Sequence, residues 1–130
     1  QHDDDDSRRL AGILYEEMFA AALEFPTAWV GNALDGVSTR LNDRGTDFYG
    51  IHRRTPDVTS IITEFLWLSN GAEAALLARD DVRDAEAKAI ATGIDRWYRT
   101  EHAGSGYLSP FVDTFDSGGG GFDGCVDPAL

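Results

Sequence analysis

The chain has almost no thiol, little histidine, one lysine and no long hydrophobic run, and each shortage removes a class of protein. A single cysteine, Cys125, rules out an internal disulfide framework and any site built from several thiolates. It reads as a spare thiol or as one half of an intermolecular disulfide. His2, His52 and His102 are the only histidines, and none has a second histidine at helical or zinc-finger spacing. The longest apolar stretch, 61–68, is interrupted by Thr63 and Glu64 and falls short of the roughly 18 residues that span a bilayer. No membrane span is expected. No G-x-S-x-G nucleophile elbow and no 12-residue calcium loop are present. The glycine run 118–121 lacks the strand before it and the helix after it that would make a phosphate cradle. No cofactor is implied.

Positive charge is scarce and lopsided. Eleven basic residues face 23 acidic ones, for a net charge of −12, and Lys88 is the only lysine among ten arginines. Phosphate binding needs a basic footprint, and Arg53, Arg54, Arg96 and Arg99 are scattered among acids. Nucleic acid is therefore not an expected ligand. Sixteen of the acids are aspartate, a composition similar to that of proteins from salt-loving organisms, although a GC-rich genome favours the same residues. Such a surface attracts monovalent or calcium cations and repels itself at low ionic strength. The start at Gln1 fits a mature exported protein and a trimmed chain alike, and leans towards an extracellular or cell-surface location.

What is present fits one domain of 130 residues, 42% hydrophobic. After an acidic lead-in over 1–6, the spacing predicts a helical domain over 7–102 and a tail over 103–130. Ser7 is the expected cap of a first helix, whose apolar residues Leu10, Ile13, Leu14, Met18, Ala21, Ala22 and Phe25 recur at helical spacing up to Pro26. A second helix is predicted over 27–41, weakened by Gly31 and Gly36, followed by a loop over 42–55. Thr55-Pro56 reads as the start of a central buried helix reaching Leu76, with a possible split at Asn70-Gly71. A last helix is predicted over 82–100, with Ala85, Ala89, Ile90, Ile94, Trp97 and Tyr98 inward. The expected fold is all-α, a four- or five-helix bundle with an irregular glycine-rich aromatic tail.

The tail supplies the main functional expectation. It keeps Tyr107, Phe111, Phe115 and Phe122, whereas disordered tails are usually poor in aromatics. These four rings would pack on a protein partner, on a second copy or on the tail's own bundle. The chain then reads as a small acidic interaction or assembly module rather than an enzyme.

Three patterns offer alternatives. Arg96 and His102, with five residues between them at a helix end, resemble the R-x(4–6)-H element of HEPN ribonucleases. The resemblance implies that His102 activates a ribose hydroxyl and Arg96 steadies the phosphate. The loop Gly106-Tyr107-Leu108-Ser109-Pro110-Phe111, with Asp113, Asp116, Trp67, Trp97 and Tyr98, looks like a piece of the (α/α) toroids of carbohydrate-active enzymes. That likeness implies carboxylate acid–base work and aromatic stacking on sugars. Finally, 118–126 fits one copy of a calcium-binding nonapeptide, and Asp113, Asp116 and Asp123 are candidate cation ligands.

Overall fold

Asp4 starts the first helix. Its Oδ1 accepts the backbone N–H of Ser7 at 2.9 Å, which satisfies one of the donors a helix N-terminus leaves open. The structure, a computed structural model, describes residues 4–25 and 36–113. Within it α1 spans Asp5–Ala22, with Asp5 and Asp6 at the positive end of the helix dipole. Ser7, the expected cap, lies inside the first turn instead. It is fully buried, and its Oγ accepts the N–H of Ser60 at 2.8 Å. The Asp4 carboxylate, one turn earlier, takes the capping role, and the Ser7 hydroxyl serves a distant segment.

Four helices hold half of the described residues, so the protein is mostly helical. Two of them are short: α2 spans Gly50–Arg54 and α3 spans Gly71–Leu77. The long partner of α1 is α4, Asp80–Arg99. The pair is antiparallel, since Arg9 near the start of α1 donates to the Trp97 carbonyl near the end of α4 at 2.7 Å. Further along, Leu14 and Met18 cluster with Ala89, and Leu10, Ala21, Ile61, Phe65 and Ile90 pack around them. Gly93 permits this approach, because a Cβ there would lie 2.6 Å from Leu14 Cδ2. Small residues thus set the inward face of α4, which is Val82, Ala89 and Gly93. The larger Ile94 and Tyr98, expected inward, are rotated outward and stand 41% and 76% exposed.

The predicted central helix does not form. Residues 55–69 are non-helical, and α3 begins only at Gly71. The segment Val58-Thr59-Ser60-Ile61-Ile62-Thr63 explains the difference, because β-branched side chains lose rotamer freedom in a helix and suit extended backbone. Asn70 then caps α3, accepting the N–H of Ala72 at 3.1 Å. Glu73 reaches back to take the Asn70 amide and the Trp67 N–H, each at 2.7 Å. The Asn70-x-x-Glu73 spacing is that of a capping box, but Glu73 takes the Asn70 side-chain amide in place of its backbone N–H, which bonds to the Trp67 carbonyl.

Of the predicted second helix, residues 27–35 lie outside the described residues and 36–41 are extended. β1, Arg40–Leu41, pairs in parallel with β2, Phe111–Val112, in the register Arg40↔Phe111 and Leu41↔Val112. A further parallel bridge joins Val37 to Tyr107. The second strand therefore carries one more residue than the first between the two pairings. That extra residue falls at Ser109-Pro110, where proline has no N–H to offer a ladder. Upstream of β2 the 103–107 segment crosses α1. Gly104, at φ +75°, sits so close that a Cβ would lie 2.5 Å from the Gly12 carbonyl carbon and 2.6 Å from Ile13 N. Among the described residues no helix is long and apolar enough to cross a membrane.

Candidate functional site

A groove of about 720 Å³ lies between α1, the extended 61–67 segment and the β1–β2 strap. Helix α1 contributes Tyr15 and Phe19, one turn apart and stacked with ring centroids 5.5 Å apart. Ile62, Glu64, Phe65 and Trp67 come from the extended segment, and Leu108 and Phe111 from the strap. The first four of these lie in the non-helical 55–69 segment, which runs along the groove.

Arg40 fixes the strap. Its Nε donates to Asp113 Oδ2 at 2.8 Å, its Nη2 donates to the same oxygen, and its Nη1 donates to the Tyr49 hydroxyl at 3.1 Å. The guanidinium also lies 3.9 Å from the centroid of the Phe48 ring and 6.0 Å from that of Phe111. The hydrogen bond to Asp113 holds Arg40 protonated more firmly than usual. No spacing in the sequence links residues 40 and 113, so this pair is legible only in the fold.

The expected partner-binding rings divide. Tyr107 packs on its own α1: its hydroxyl donates towards the Arg8 and Ala103 carbonyls, and Arg8 lies 4.6 Å from its ring centroid. Burial pushes the Tyr107 hydroxyl above its ordinary pKa. Phe111 lines the groove and stays 47% exposed. Phe115 and Phe122 lie outside the described residues, as do Cys125, Asp116, Asp123 and the nonapeptide 118–126. Asp113 is bound to Arg40, and among the described residues no group of three or more His, Cys, Asp or Glu is placed to hold a metal ion.

Arg96 and His102 come to one carboxylate. Arg96 donates to Glu16 at 2.9 Å and to Glu17, while His102 Nδ1 lies 3.9 Å from Glu16 Oε2. His102 Nδ1 also accepts the Gly104 N–H at 3.2 Å. Hydrogen bonds that Arg96 donates to Glu17 and Glu16 raise its pKa. A phosphate at this spot meets two carboxylates that already hold the guanidinium. The buried His52, with Nδ1 2.8 Å from Ser60 Oγ, ties α2 to the extended segment, and neither residue lines the groove.

This cluster carries a pH prediction. Burial pushes the Glu16 carboxyl up, but hydrogen bonds from Ser105 and Arg96 outweigh it and leave the group below its ordinary 4.5. A carboxyl held low in the folded chain binds fewer protons there than in the unfolded chain. Its stabilisation is complete above the ordinary value and is lost as pH falls through the folded one. The thermal midpoint should hold level from about pH 7 to about pH 5 and then drop. Glu16→Gln should flatten part of that drop, and parallel acid slopes for the two proteins would count against the assignment.

No protein-family model, curated protein or solved structure matches the chain.

Proposed function

We propose that this chain is a small acidic interaction module that docks a protein partner in the groove. The supporting observation is where its large apolar side chains lie. Eight hydrophobic residues are buried among the described ones, and two of those are alanines. Around the groove, by contrast, Trp67, Phe111, Leu108 and Ile62 stand 55%, 47%, 45% and 41% exposed. Burying such area is favourable by about 25 cal/mol per Å². Contiguous exposed apolar surface of this kind marks contact sites. In this reading the antiparallel α1–α4 pair is the scaffold of the bundle. The tail, with Phe115 and Phe122, extends the contact or joins two copies, and the acidic surface suits a salt-rich setting.

A neutral solvatochromic dye tests the groove directly. The full chain should shift and brighten its emission, and Phe111→Asp should weaken binding roughly tenfold, equivalent to about 1.4 kcal/mol, with an unchanged circular dichroism spectrum. A dye that ignores the full chain overturns the docking reading. Light scattering from about 0.1 M to about 3 M KCl, where the screening length shrinks from about 10 Å to below 3 Å, then separates two forms of it. A multimer that appears as salt rises identifies self-association; a monomer throughout leaves a different protein as the partner.

One observation favours a second reading. The groove presents the rings of Tyr15, Tyr49 and Trp67 beside the carboxylate of Glu64, a combination that suits a sugar ring. Oligosaccharide titrations that leave the tryptophan emission flat would remove it.

A further inference from the structure

Resting on the docking reading, we propose that the groove takes a cationic apolar polypeptide segment, one whose lysine or arginine pairs with Glu64, and not this chain's own tail. Among the described residues three charged side chains line the groove: Arg40, Glu64 and Glu73. Arg40 is neutralised by Asp113. Glu73 is 5% exposed, with both oxygens occupied by the Trp67 N–H and the Asn70 amide. Glu64 is exposed, and among the described residues it makes no hydrogen bond or ion pair. An apolar floor thus meets one uncompensated carboxylate at its edge, inside the field of a chain with net charge −12.

The complement of that surface is a segment with apolar side chains for the floor and one cation for the edge. Residues 114–130 of this chain hold three aspartates and no lysine or arginine. Seated in the groove, they would bring like charge to Glu64 and leave it unpaired. A second copy of the whole chain brings another −12, repelled at low ionic strength. Charge complementarity therefore selects a different, basic polypeptide. A rim charge of this sort governs specificity and association rate, and its effect fades with salt.

The test uses the full chain and three short blocked peptides of leucine and phenylalanine that differ at one central position: lysine, glutamine or glutamate. Binding is read by fluorescence anisotropy of the labelled peptide. The lysine peptide should bind about tenfold tighter than the glutamine peptide at about 0.1 M salt, with the glutamate peptide weakest. Glu64→Gln should bring lysine and glutamine level while leaving the glutamine peptide's affinity unchanged, and about 1 M salt should do the same. Equal binding of all three peptides overturns the cationic inference and leaves the docking reading standing. A lysine preference that survives Glu64→Gln also overturns it, since the charge then lies elsewhere. Failure of all three peptides to bind is the failure of the docking reading itself.

Discussion

Gly104→Ala is expected to destabilise the protein by about 2–5 kcal/mol, far more than the usual effect of adding one methyl group. Two costs coincide there. The residue sits at φ +75°, a left-handed conformation that costs a residue with a Cβ about 1–2 kcal/mol. The new methyl group would also press on the backbone of Gly12 and Ile13 at 2.5–2.6 Å. Backbone inside a helix cannot swing aside as a side-chain tip can, and overpacking of this kind costs about 1–3 kcal/mol. Gly45 provides the control, because it has nearly the same φ, +73°, with nothing within 4 Å of its would-be Cβ. Gly45→Ala should lose only the conformational part, about 1–2 kcal/mol. Urea unfolding followed by circular dichroism compares the two. Equal losses would show that the crossing of the 103–107 segment over α1 is looser than described.

Loss of Arg40 should have the second largest effect, about 2–3 kcal/mol for Arg40→Met. The methionine keeps most of the apolar stem, so the variant isolates the charged head. The Arg40 side chain is 31% exposed, whereas the Asp113 side chain facing it is 9% exposed. Removing one partner of a fully buried pair costs about 3–5 kcal/mol, and the partial exposure of Arg40 reduces that figure. The stacking on Phe48 is lost too. A double-mutant cycle with Asp113→Asn should give a coupling of about 1–3 kcal/mol. It should be much less sensitive to salt than the exposed pair Arg99–Asp95, whose side chains are 75% and 58% exposed. A coupling near zero would mean that the strap is held by its backbone ladder alone.

How far the sequence could be read depended on which force dominates locally. Where amphipathic spacing and helix ends agree, as in α1 and α4, the predicted helices form within a few residues of their expected limits. Which face of α4 turns inward was legible only in outline. Hydrophobic periodicity counts large residues, whereas the approach of α1 needs small ones, and Gly93 therefore displaces Ile94 from the interface. The 55–69 segment shows the reverse problem. Its apolar content was legible and its conformation was misread, although the run of Val, Thr and Ile before Asn70 pointed to extended backbone. The Asn70-x-x-Glu73 cap was likewise present as a signal and marks where the helix truly starts. For the candidate site, aromatic content was legible and position was not. Phe111 reaches the groove while Tyr107, four residues earlier, is spent on α1. The pairing of Arg40 with Asp113 spans 73 residues and leaves no local trace.

The parallel pairing of 37–41 with 107–113 also fixes the order in which the molecule can be made. A parallel pair cannot close as a hairpin, and here the intervening chain includes all of α2, α3 and α4. The other main contact, α1 with α4, is also long in sequence, with Arg9 meeting Trp97 across 88 residues. The contacts that join these elements are long-range, so loop-closure entropy is paid before they form, and that slows folding. During synthesis α1 waits for α4, which ends at Arg99, and β1 waits for β2, which ends at Val112. Over that interval the apolar face of α1 is exposed, and its protection falls to the acidic charge around it and to whatever chaperone reaches it first.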